Sequence, residues 1–500
     1  MAIAAAAGKM AAGDRALPGV GPGRRGAAPT GGPGPSGRRR PRVRAGRRGA
    51  RDARGLFIMQ FTHPCVVILL VGLKLSNVAG DCSFNKSQSH CTCSLLDQEN
   101  LGNIIQCLPA SVFELRGGNL EKFAHFASIS VEDSVLDMLQ SLQVTKIIFG
   151  DLLVPEVLLA AVMKFFSYMR ITELEFENCT FLGKTTWFHM DMLLLPISSL
   201  RFHKVTSVSL ADRDKDFSHL SGWLETLNNL TVTQSQVTSI PCSIGKVFRT
   251  LRYLDVSENS LQDQSMKTSF CPGAFPQLQV LKLHHNNLSS FHTICETLPQ
   301  LEKLVHLDLS QNELTISPSS SCKWQSSLHT LNLSTTGLDH ITLPLPPTIK
   351  VLDVSSNNLH ALDLALPFLK ELYLSNNRLQ AVPSAKNYPA LEVLSLDGNL
   401  ISGLPRYELQ SLRHLQSLRA GRNPYNCSCV AAREIQALAS TGSLMLHWPQ
   451  DYTCESPSPY QGTLVKDVPT SALQCNKAIV IAPVSVLLAL SCLAGIICFA

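Results

Sequence analysis

The sequence predicts an α/β fold, a leucine-rich-repeat solenoid curved like a horseshoe, with a parallel β-sheet on its concave face and disulfide-bonded N- and C-terminal caps. The segment LRYLDVSENSL at residues 251–261 fits the leucine-rich template L-x-x-L-x-L-x-x-N-x-L. The template recurs every 20–27 residues, with copies that begin at Leu251, Leu278, Leu304, Leu328, Ile349, Leu369, Leu391 and Leu415. Cysteines cluster on either side of the repeats, as expected if each end of the solenoid is capped.

Each repeat is expected to contain a short strand followed by a turn. In the copy that begins at Leu304, Leu307 and Leu309 alternate with His306 and Asp308, so the leucines point into the solenoid and the polar residues point out. The asparagine that follows can hydrogen-bond the backbone where the chain leaves the strand, and stacked copies form a ladder. The ladder positions are Asn259, Asn286, Asn312, Asn357, Asn377, Asn399 and Asn423. Thr336 interrupts the ladder, so we expect that repeat to be irregular or slightly weaker.

The repeats before residue 251 keep the hydrophobic triplet, but they lack a regular asparagine and use Phe where later copies use Leu or Val. Their triplets begin at Val144, Ile171, Ile197 and Leu227. Counting these copies gives about twelve repeats across residues 144–425, and residues 112–115 are interpreted as a further capping strand. Residues 81–143 and 426–475 are then predicted to form the N-terminal and C-terminal caps.

The 16 cysteines favour an oxidising compartment. We favour disulfides over zinc at Cys91-Thr-Cys93 and Cys427-Ser-Cys429, because zinc ligands in such motifs are usually separated by two to four residues. Spacing alone does not fix the pairing. The pairs that we expect are Cys82–Cys93, Cys91–Cys107, Cys242–Cys271, Cys295–Cys322, Cys427–Cys454 and Cys429–Cys475. This arrangement leaves Cys179 unpaired.

The N-terminal region predicts export. Residues 65–73 form an apolar run of signal-peptide length, and the small residues at 78–80 resemble a cleavage site, so residues 59–80 are interpreted as a signal peptide that begins at Met59. Residues 1–58 are interpreted as a disordered basic extension or as untranslated sequence. Residues 1–54 hold 13 Lys and Arg against two Asp, a charge of +11, whereas the whole chain carries +5, so the remainder carries −6. This acidic balance argues against nucleic acid as a partner.

The last 23 residues, 478–500, carry no charge and are long enough to span a bilayer. We interpret them as a membrane anchor and favour a spanning helix over a glycolipid-anchor signal. Sequons agree with an extracellular glycoprotein, and their asparagines are Asn85, Asn178, Asn229, Asn287, Asn332 and Asn426. The expected location is the extracellular face of the plasma membrane, with a shed or secreted form as the alternative.

Catalytic motifs are not found. The chain lacks G-x-S-x-G, H-E-x-x-H and a Walker loop, and its acidic residues show no pairing pattern. His284-His285 is interpreted as a pair of solvated surface histidines rather than a metal site. The sequence therefore predicts a binding protein without enzymatic activity, cofactor or metal.

Residues 112–166 contain more large hydrophobic side chains than a regular repeat needs. Ile148, Leu152 and Leu153 fall at or near positions that would otherwise point outward or lie in a loop. One interpretation is a bulky hydrophobic cap under the first strands. The other is an apolar pocket for a lipid or acyl chain. A sealed core at this end would favour the cap, and an open apolar cavity would favour the pocket.

Several segments carry a family resemblance. Cysteines 82, 91, 93 and 107, followed by VFELRGGNLEKF at 112–123, VTKIIFG at 144–150 and SYMRITELEF at 167–176, resemble the monocyte differentiation antigen family, the myeloid lipopolysaccharide co-receptors. The resemblance covers roughly residues 81–425. The C-terminal cap, NPYNCSC at 423–429 with Trp448, is more similar to Toll-like receptor ectodomains. This leaves open a non-mammalian member of the family that spans the membrane, or a receptor ectodomain without its signalling half.

The resemblance implies a hydrophobic pocket at the N-terminal end that binds the acyl chains of lipopolysaccharide and other microbial lipids. In the family, these lipids pass to a Toll-like receptor complex in innate immunity and the inflammatory response, and lipid-transfer proteins are implied as further partners. The implied pocket residues are Phe113, Leu115, Phe123, Phe126, Ile148, Leu152, Leu153, Val157 and Leu158. Arg116, Lys122 and Lys146 are the nearby cations expected to bind lipid phosphate.

A second function has a different site. A leucine-rich-repeat adhesion or protein-ligand receptor would use outward positions of the concave face, such as His306, Asp308, Tyr373 and Arg419. The sequence leaves open which lipid is preferred, which receptor accepts it and whether the chain forms a homodimer.

Overall fold

The structure of the chain is a computed structural model. The described residues are 81–95, 106–121, 142–155, 170–182, 197–208, 225–315, 324–341, 345–442, 444–471 and 485–488, together with residues 158, 163, 166, 167, 169 and 322.

Short strands dominate the described part of the chain. They are β1 Asp81–Asn85, β2 His90–Ser94, β3 Val112–Asn119, β4 Lys146–Pro155, β5 Glu173–Glu177, β6 Thr180–Leu182, β7 Ser199–His203, β8 Thr206–Val208, β9 Asn229–Thr233, β10 Tyr253–Asp255, β11 Val280–Lys282, β12 His306–Asp308, β13 Thr330–Asn332, β14 Val351–Asp353, β15 Glu371–Tyr373, β16 Val393–Ser395, β17 Ser417–Arg419, β18 Tyr425–Asn426 and β19 Cys454–Ser456. The helices are α1 Cys242–Val247, α2 Asp263–Ser269, α3 Phe291–Thr297, α4 Arg406–Ser411 and α5 Cys429–Ala439. Single 3₁₀ turns span Leu298–Gln300, Ala385–Asn387, Ser458–Tyr460 and Val465–Asp467.

The strands form one long sheet that follows the repeats. β1 pairs antiparallel with β2, and every later neighbour is parallel, in the order β2, β3, β4, β5, β7, β9 and then β10 to β17. The end of β4 also starts a second parallel ladder, which continues through β6 to β8. β18 and β19 form a separate small sheet in the C-terminal cap.

The register places the central leucine of each triplet directly against the next. Leu254 pairs with Leu281, and the row continues through Leu307, Leu331, Leu352, Leu372, Leu394 and Leu418. Each of these side chains is at most 2% exposed. Because one repeat cannot bury its own leucines, stacking supplies the hydrophobic stabilisation and unites the repeats in one core.

The asparagine ladder ties each turn to the preceding repeat. Nδ2 of Asn312 donates to the carbonyl oxygens of Leu283, 3.0 Å away, and of Leu309, 2.9 Å away. Its Oδ1 accepts from the backbone N–H groups of Asn286 and Leu288, each at 3.2 Å. The side chain thus satisfies buried backbone groups that no strand pairs with.

Thr336 alters this pattern, as the sequence predicts. Its hydroxyl donates to the carbonyl of Leu333 at 2.7 Å, within its own repeat, because the side chain is too short to reach the preceding one. The Leu314 N–H instead donates to the backbone carbonyl of Thr336 at 3.1 Å. The backbone carbonyl of Thr336 therefore replaces the side-chain oxygen that an asparagine would offer to the N–H of Leu314.

Phenylalanine fills the interior of the early repeats. The rings of Phe149, Phe176 and Phe202 stack in register on β4, β5 and β7, with centroid separations of 5.1 and 5.3 Å. Phe181 on β6 packs edge-on against Phe176 at 5.4 Å. Phe149, Phe176 and Phe202 occupy the third triplet position, where later repeats have Leu or Val, so the same core continues with larger side chains.

Disulfides close both caps and brace two repeats. The structure contains Cys82–Cys93, Cys91–Cys107, Cys242–Cys271, Cys295–Cys322 and Cys427–Cys454, and all five pairs agree with the pairing expected from the sequence. Cys429 is also disulfide-bonded, and its expected partner, Cys475, lies outside the described residues. Cys179 is free and buried.

The predicted extension, signal peptide and anchor fall on residues that the structure leaves undescribed, except for 485–488 within the anchor. Within the part of the chain that is described, no helix combines the length and the apolar character needed to cross a bilayer. These three segments stay predictions.

Candidate functional site

The first candidate site is the apolar interior at the N-terminal end of the sheet. On β3, Phe113 lies opposite Ile147, and Leu115 lies opposite Phe149. Ile147 and Phe149 are 5% and 4% exposed, whereas Phe113 and Leu115 are only half-buried although they belong to the same inward rows. The inward side chains of β3 are therefore less completely buried than those of β4.

The other predicted pocket residues are distributed around this end. Leu153 is 39% exposed on β4, and Ile148 is half-buried at an outward position. Leu152 and Leu158 belong to the core, with 1% and 9% exposure. The predicted pocket residues outside the described part of the chain are Phe123, Phe126 and Val157.

Three leucines at this end were absent from the predicted set. Leu95 and Leu142 are half-buried against the core, and Leu108, beside the Cys91–Cys107 disulfide, is 39% exposed. Each lies outside the repeat triplets, so the repeat pattern does not predict where its side chain packs. Leu95 and Leu142 therefore add to the hydrophobic side chains that pack against the core at this end.

Arg116 organises a charge network on the outward side of the same strands. Its guanidinium contacts the carboxylate of Glu114, Asp151 at 2.8 Å and Glu177 at 2.5 Å. Gly150 leaves room for this arrangement, since a Cβ there would lie 2.9 Å from Cγ of Arg116. The network joins β3 to β4 and β5 and braces the first repeats.

Lys146 is engaged in the same way. Its Nζ lies 3.0 Å from Glu175 and 3.7 Å from Glu173, and Arg201 contacts Glu175 at 3.0 Å. Of the three cations expected to bind lipid phosphate, Arg116 and Lys146 are thus paired with carboxylates, and Lys122 lies outside the described residues. Carboxylates outnumber cations on this outward face, which disfavours an anionic headgroup there.

Replacing Arg116 with Gln is expected to lower the free energy of unfolding at pH 7 by about 2 kcal/mol, because buried Glu114 would lose the guanidinium and keep only Thr92, at 2.9 Å, and His90, at 3.0 Å, as side-chain partners. Burial raises the pKa of Glu114, but hydrogen bonds from Arg116 and Thr92 outweigh it, so the pKa lies below its ordinary value. Because the folded state lowers this pKa, ionised Glu114 stabilises the fold at pH values above its unfolded-state pKa. This contribution is lost progressively as the pH falls below about 5 and the carboxylate is protonated. The wild type should therefore lose more stability than the variant between pH 7 and pH 3 in urea unfolding. Arg378→Gln, at an exposed position, is the control. If all three proteins lost the same stability between pH 7 and pH 3, the pairing of Arg116 with Glu114 would not stabilise the fold.

The outward positions proposed for a protein ligand are partly occupied by internal contacts. Asp308 accepts from the N–H of Ser310 at 3.0 Å, and Tyr373 donates to Glu371 at 2.8 Å. Burial, followed by the bond to Glu371, raises the pKa of Tyr373 to about 12. These two side chains therefore support the turn and the sheet surface.

The histidines near this surface show no metal geometry. Opposite ring nitrogens of His284 lie 3.9 Å from Glu258 and 4.0 Å from Asp308, so no single ion can join both carboxylates to one nitrogen. Burial lowers the pKa of His306. Within the described residues, the group with metal-like ligand spacing is Cys82, Cys93 and Cys107, whose sulfurs form disulfides.

The predicted glycosylation sites are accessible in the structure. Asn332 is half-buried on β13, and the exposed members are Asn85, Asn178, Asn229, Asn287 and Asn426. Their use as glycosylation sites stays a prediction.

Comparison with known proteins identifies the repeats. Models described as leucine-rich repeats match residues 367–424 and 303–324. Toll-like receptor 2 of Bos taurus is 34% identical over 374 residues, which are 74% of this chain and 47% of that receptor. Toll-like receptor 2 of Macaca mulatta is 34% identical over 408 residues, which are 80% of this chain and 50% of the receptor. The chain thus spans about half the length of the curated relatives it matches.

Among solved structures, a chain of the mouse RP105/MD-1 complex aligns with a TM-score of 0.46 at 17% identity, covering 72% of this chain and 63% of that one. The repeat models and the parallel sheet confirm the predicted fold class. By sequence, the chain is a leucine-rich-repeat protein related to Toll-like receptors. The narrower resemblance to the monocyte differentiation antigen family stays a prediction.

Proposed function

We propose that this chain is a cell-surface pattern-recognition co-receptor of innate immunity. It captures lipopolysaccharide and other acylated lipids at the N-terminal end of its sheet and delivers them to a Toll-like receptor complex. The observation that carries the proposal is the incomplete burial of Phe113 and Leu115 at inward positions. The relationship to Toll-like receptors supports the assignment to innate immunity.

Acyl chains would supply most of the binding energy. Burial of each methylene contributes about 0.8 kcal/mol, so a chain of about ten carbons offers several kcal/mol even after its ordering cost. Half-buried Phe113 and Leu115, on the inward rows of β3, offer the apolar contact that such a chain needs.

The headgroup would contribute less. Arg116 and Lys146 already pair with carboxylates, so a phosphate would have to displace these partners. Affinity that derives from acyl burial should depend only weakly on salt, because screening acts on charges and not on apolar contact.

Leu153→Asp is expected to weaken binding of fluorescent lipopolysaccharide about tenfold, because Leu153 is an exposed member of the predicted pocket and a carboxylate against an acyl chain is costly. Leu400→Asp is the matched control, since Leu400 is 49% exposed in a later repeat. Phe126→Asp serves as a second test within the predicted pocket. Unchanged binding in both Leu153→Asp and Phe126→Asp, from folded protein, would show that the pocket is assigned wrongly.

A further inference from the structure

Two of the predicted glycosylation sites lie on the parallel part of the long sheet, which lines the concave face. Asn229 is the first residue of β9, and Asn332 is the last residue of β13. Side chains alternate between the two faces along a strand, and the neighbouring Leu230 and Leu331 are buried in the core. Both asparagines therefore point to the concave side, where Asn229 is exposed and Asn332 is half-buried.

The side chain of Asn332 is held with its attachment atom free. Its Oδ1 accepts from the N–H of Ser334, the hydroxyl residue of the same sequon, at 2.9 Å. Its Nδ2, the atom that would carry a sugar, donates to no other described residue. In contrast, Nδ2 of the ladder residue Asn312 donates to two buried carbonyls, at 3.0 and 2.9 Å. A glycan on Asn332 would thus cost the fold no hydrogen bond of this kind.

The neighbours of Asn332 give a second reason for a neutral residue at this position. In the sheet register it lies between Asp308 and Asp353, and each of these carboxylates accepts from the N–H of the serine two residues further on. An aspartate would suit the same turn, but it would place a third carboxylate between two others, and like charges on adjacent strands are destabilising. Asn229 has no such explanation, because its register neighbours are Ser199 and Tyr253.

The two asparagines divide the concave face into short sections. Strands lie about 4.8 Å apart, so the four steps from β9 to β13 span roughly 19 Å, and the four steps from β13 to β17 span the same length. These strands have three to five residues and are at most about 17 Å long at about 3.3 Å per residue. Each section therefore offers a footprint of roughly 300 Å², whereas each partner in a stable protein–protein interface buries about 800 Å².

We propose that N-linked glycans on Asn229 and Asn332 close the concave face between β9 and β17 to globular protein ligands. The oligosaccharide comes from a lipid pyrophosphate donor. A bond forms between Nδ2 and the anomeric carbon of the sugar, the bond from that carbon to the phosphate breaks, and Nδ2 loses one proton. The attached glycan is bulky and hydrated, so a protein partner has to bind outside this part of the concave face.

The outward positions that a protein ligand would use lie within the closed part. His306 and Asp308 are on β12, between the two asparagines, and Tyr373 and Arg419 are on β15 and β17. The glycans therefore exclude the function that depends on these residues. Because the lipid site proposed at β3 lies four strands from β9, the two sites can be tested separately.

The first test measures whether the two sites are used. The full chain is purified from mammalian cells, its N-glycans are removed by an amidase that converts each glycosylated asparagine to aspartate, and peptides are analysed by mass spectrometry. We expect Asn229 and Asn332 to be converted in most molecules. An unconverted Asn332 would leave it as a neutral residue between Asp308 and Asp353 and would overturn the proposal.

The second test measures access to the concave face. Lys282→Cys places a thiol on β11, midway between the two asparagines, and its reaction with a maleimide attached to ubiquitin reports whether a small globular protein can reach it. Combining Lys282→Cys with Asn229→Gln and Asn332→Gln is expected to make this reaction about tenfold faster, because the bulky glycans are absent. Reaction with a small maleimide should change little.

Lys267→Cys, at an exposed position on α2, is the control and should react with the ubiquitin reagent at the same rate with and without the two glycans. The wild type gives the background, since its free Cys179 is buried. Trimming the glycans of the folded Lys282→Cys chain with an endoglycosidase should give the same acceleration, which covers poor folding of the combined variant. Equal rates at this thiol before and after loss of the glycans would overturn the proposal, whatever the result for lipopolysaccharide.

Discussion

Asn357→Ala is expected to lower the free energy of unfolding by about 4 kcal/mol, because it removes four buried hydrogen bonds to the backbone and leaves backbone groups unsatisfied. Oδ1 of Asn357 accepts from the N–H groups of Thr336 and Leu338 at 2.9 and 3.1 Å, and Nδ2 donates to the carbonyl of Leu333 at 2.9 Å. Alanine offers none of these contacts. The effect should be large at this rung because Thr336, one repeat before it, already interrupts the ladder.

The control is the next residue in sequence. Asn358 is exposed, and Asn358→Ala should change stability by no more than about 0.5 kcal/mol. Urea unfolding followed by circular dichroism would measure both variants. Similar midpoints for Asn357→Ala and Asn358→Ala would refute the structural role of the ladder.

Phe176→Ala is expected to cost about 4 kcal/mol, within the range for deletion of a buried aromatic ring. Phe176 is 1% exposed and lies between Phe149 and Phe202, so the cavity would open in the middle of the ring stack. Phe368→Ala is the control, because Phe368 is 61% exposed and its removal leaves no cavity. Calorimetric unfolding of the two variants measures the difference; a cost for Phe176→Ala below about 1 kcal/mol would mean that the stack is not tightly packed.

The regular half of the fold was predictable from residue pattern. The triplet and its spacing place Leu307 and Leu331 on facing strands, and their pairing in the structure follows. The same holds for Cys295–Cys322, whose members lie in adjacent repeats. In a solenoid each repeat contacts its sequence neighbours, so a local pattern carries most of the three-dimensional information.

Features that depend on cross-strand register were not predictable. The ladder through β6 and β8 has three-residue strands with no periodic pattern of their own. The local sequence around Arg116 does not reveal that it pairs with Asp151 and Glu177, because these partners lie 35 and 61 residues away along the chain. The sequence shows that Thr336 interrupts the asparagine ladder. It does not show that the backbone carbonyl of Thr336 would accept the hydrogen bond that an asparagine side chain accepts elsewhere.

The candidate lipid site was predictable in composition and less so in arrangement. The hydrophobic excess of residues 112–166 indicated an apolar feature, but Leu152 lies in the core and adjacent Leu153 is exposed. Side chains alternate between the two faces along a strand, so neighbours of equal hydrophobicity take opposite roles once the register is set.

The measurement that tests lipid capture most directly is a titration of the purified chain with fluorescent lipopolysaccharide, with and without excess lipid A. We expect saturable binding that lipid A abolishes and that changes little with salt. Absence of saturable binding, from protein with a cooperative unfolding transition, would contradict the account and return Phe113 and Leu115 to the role of cap residues.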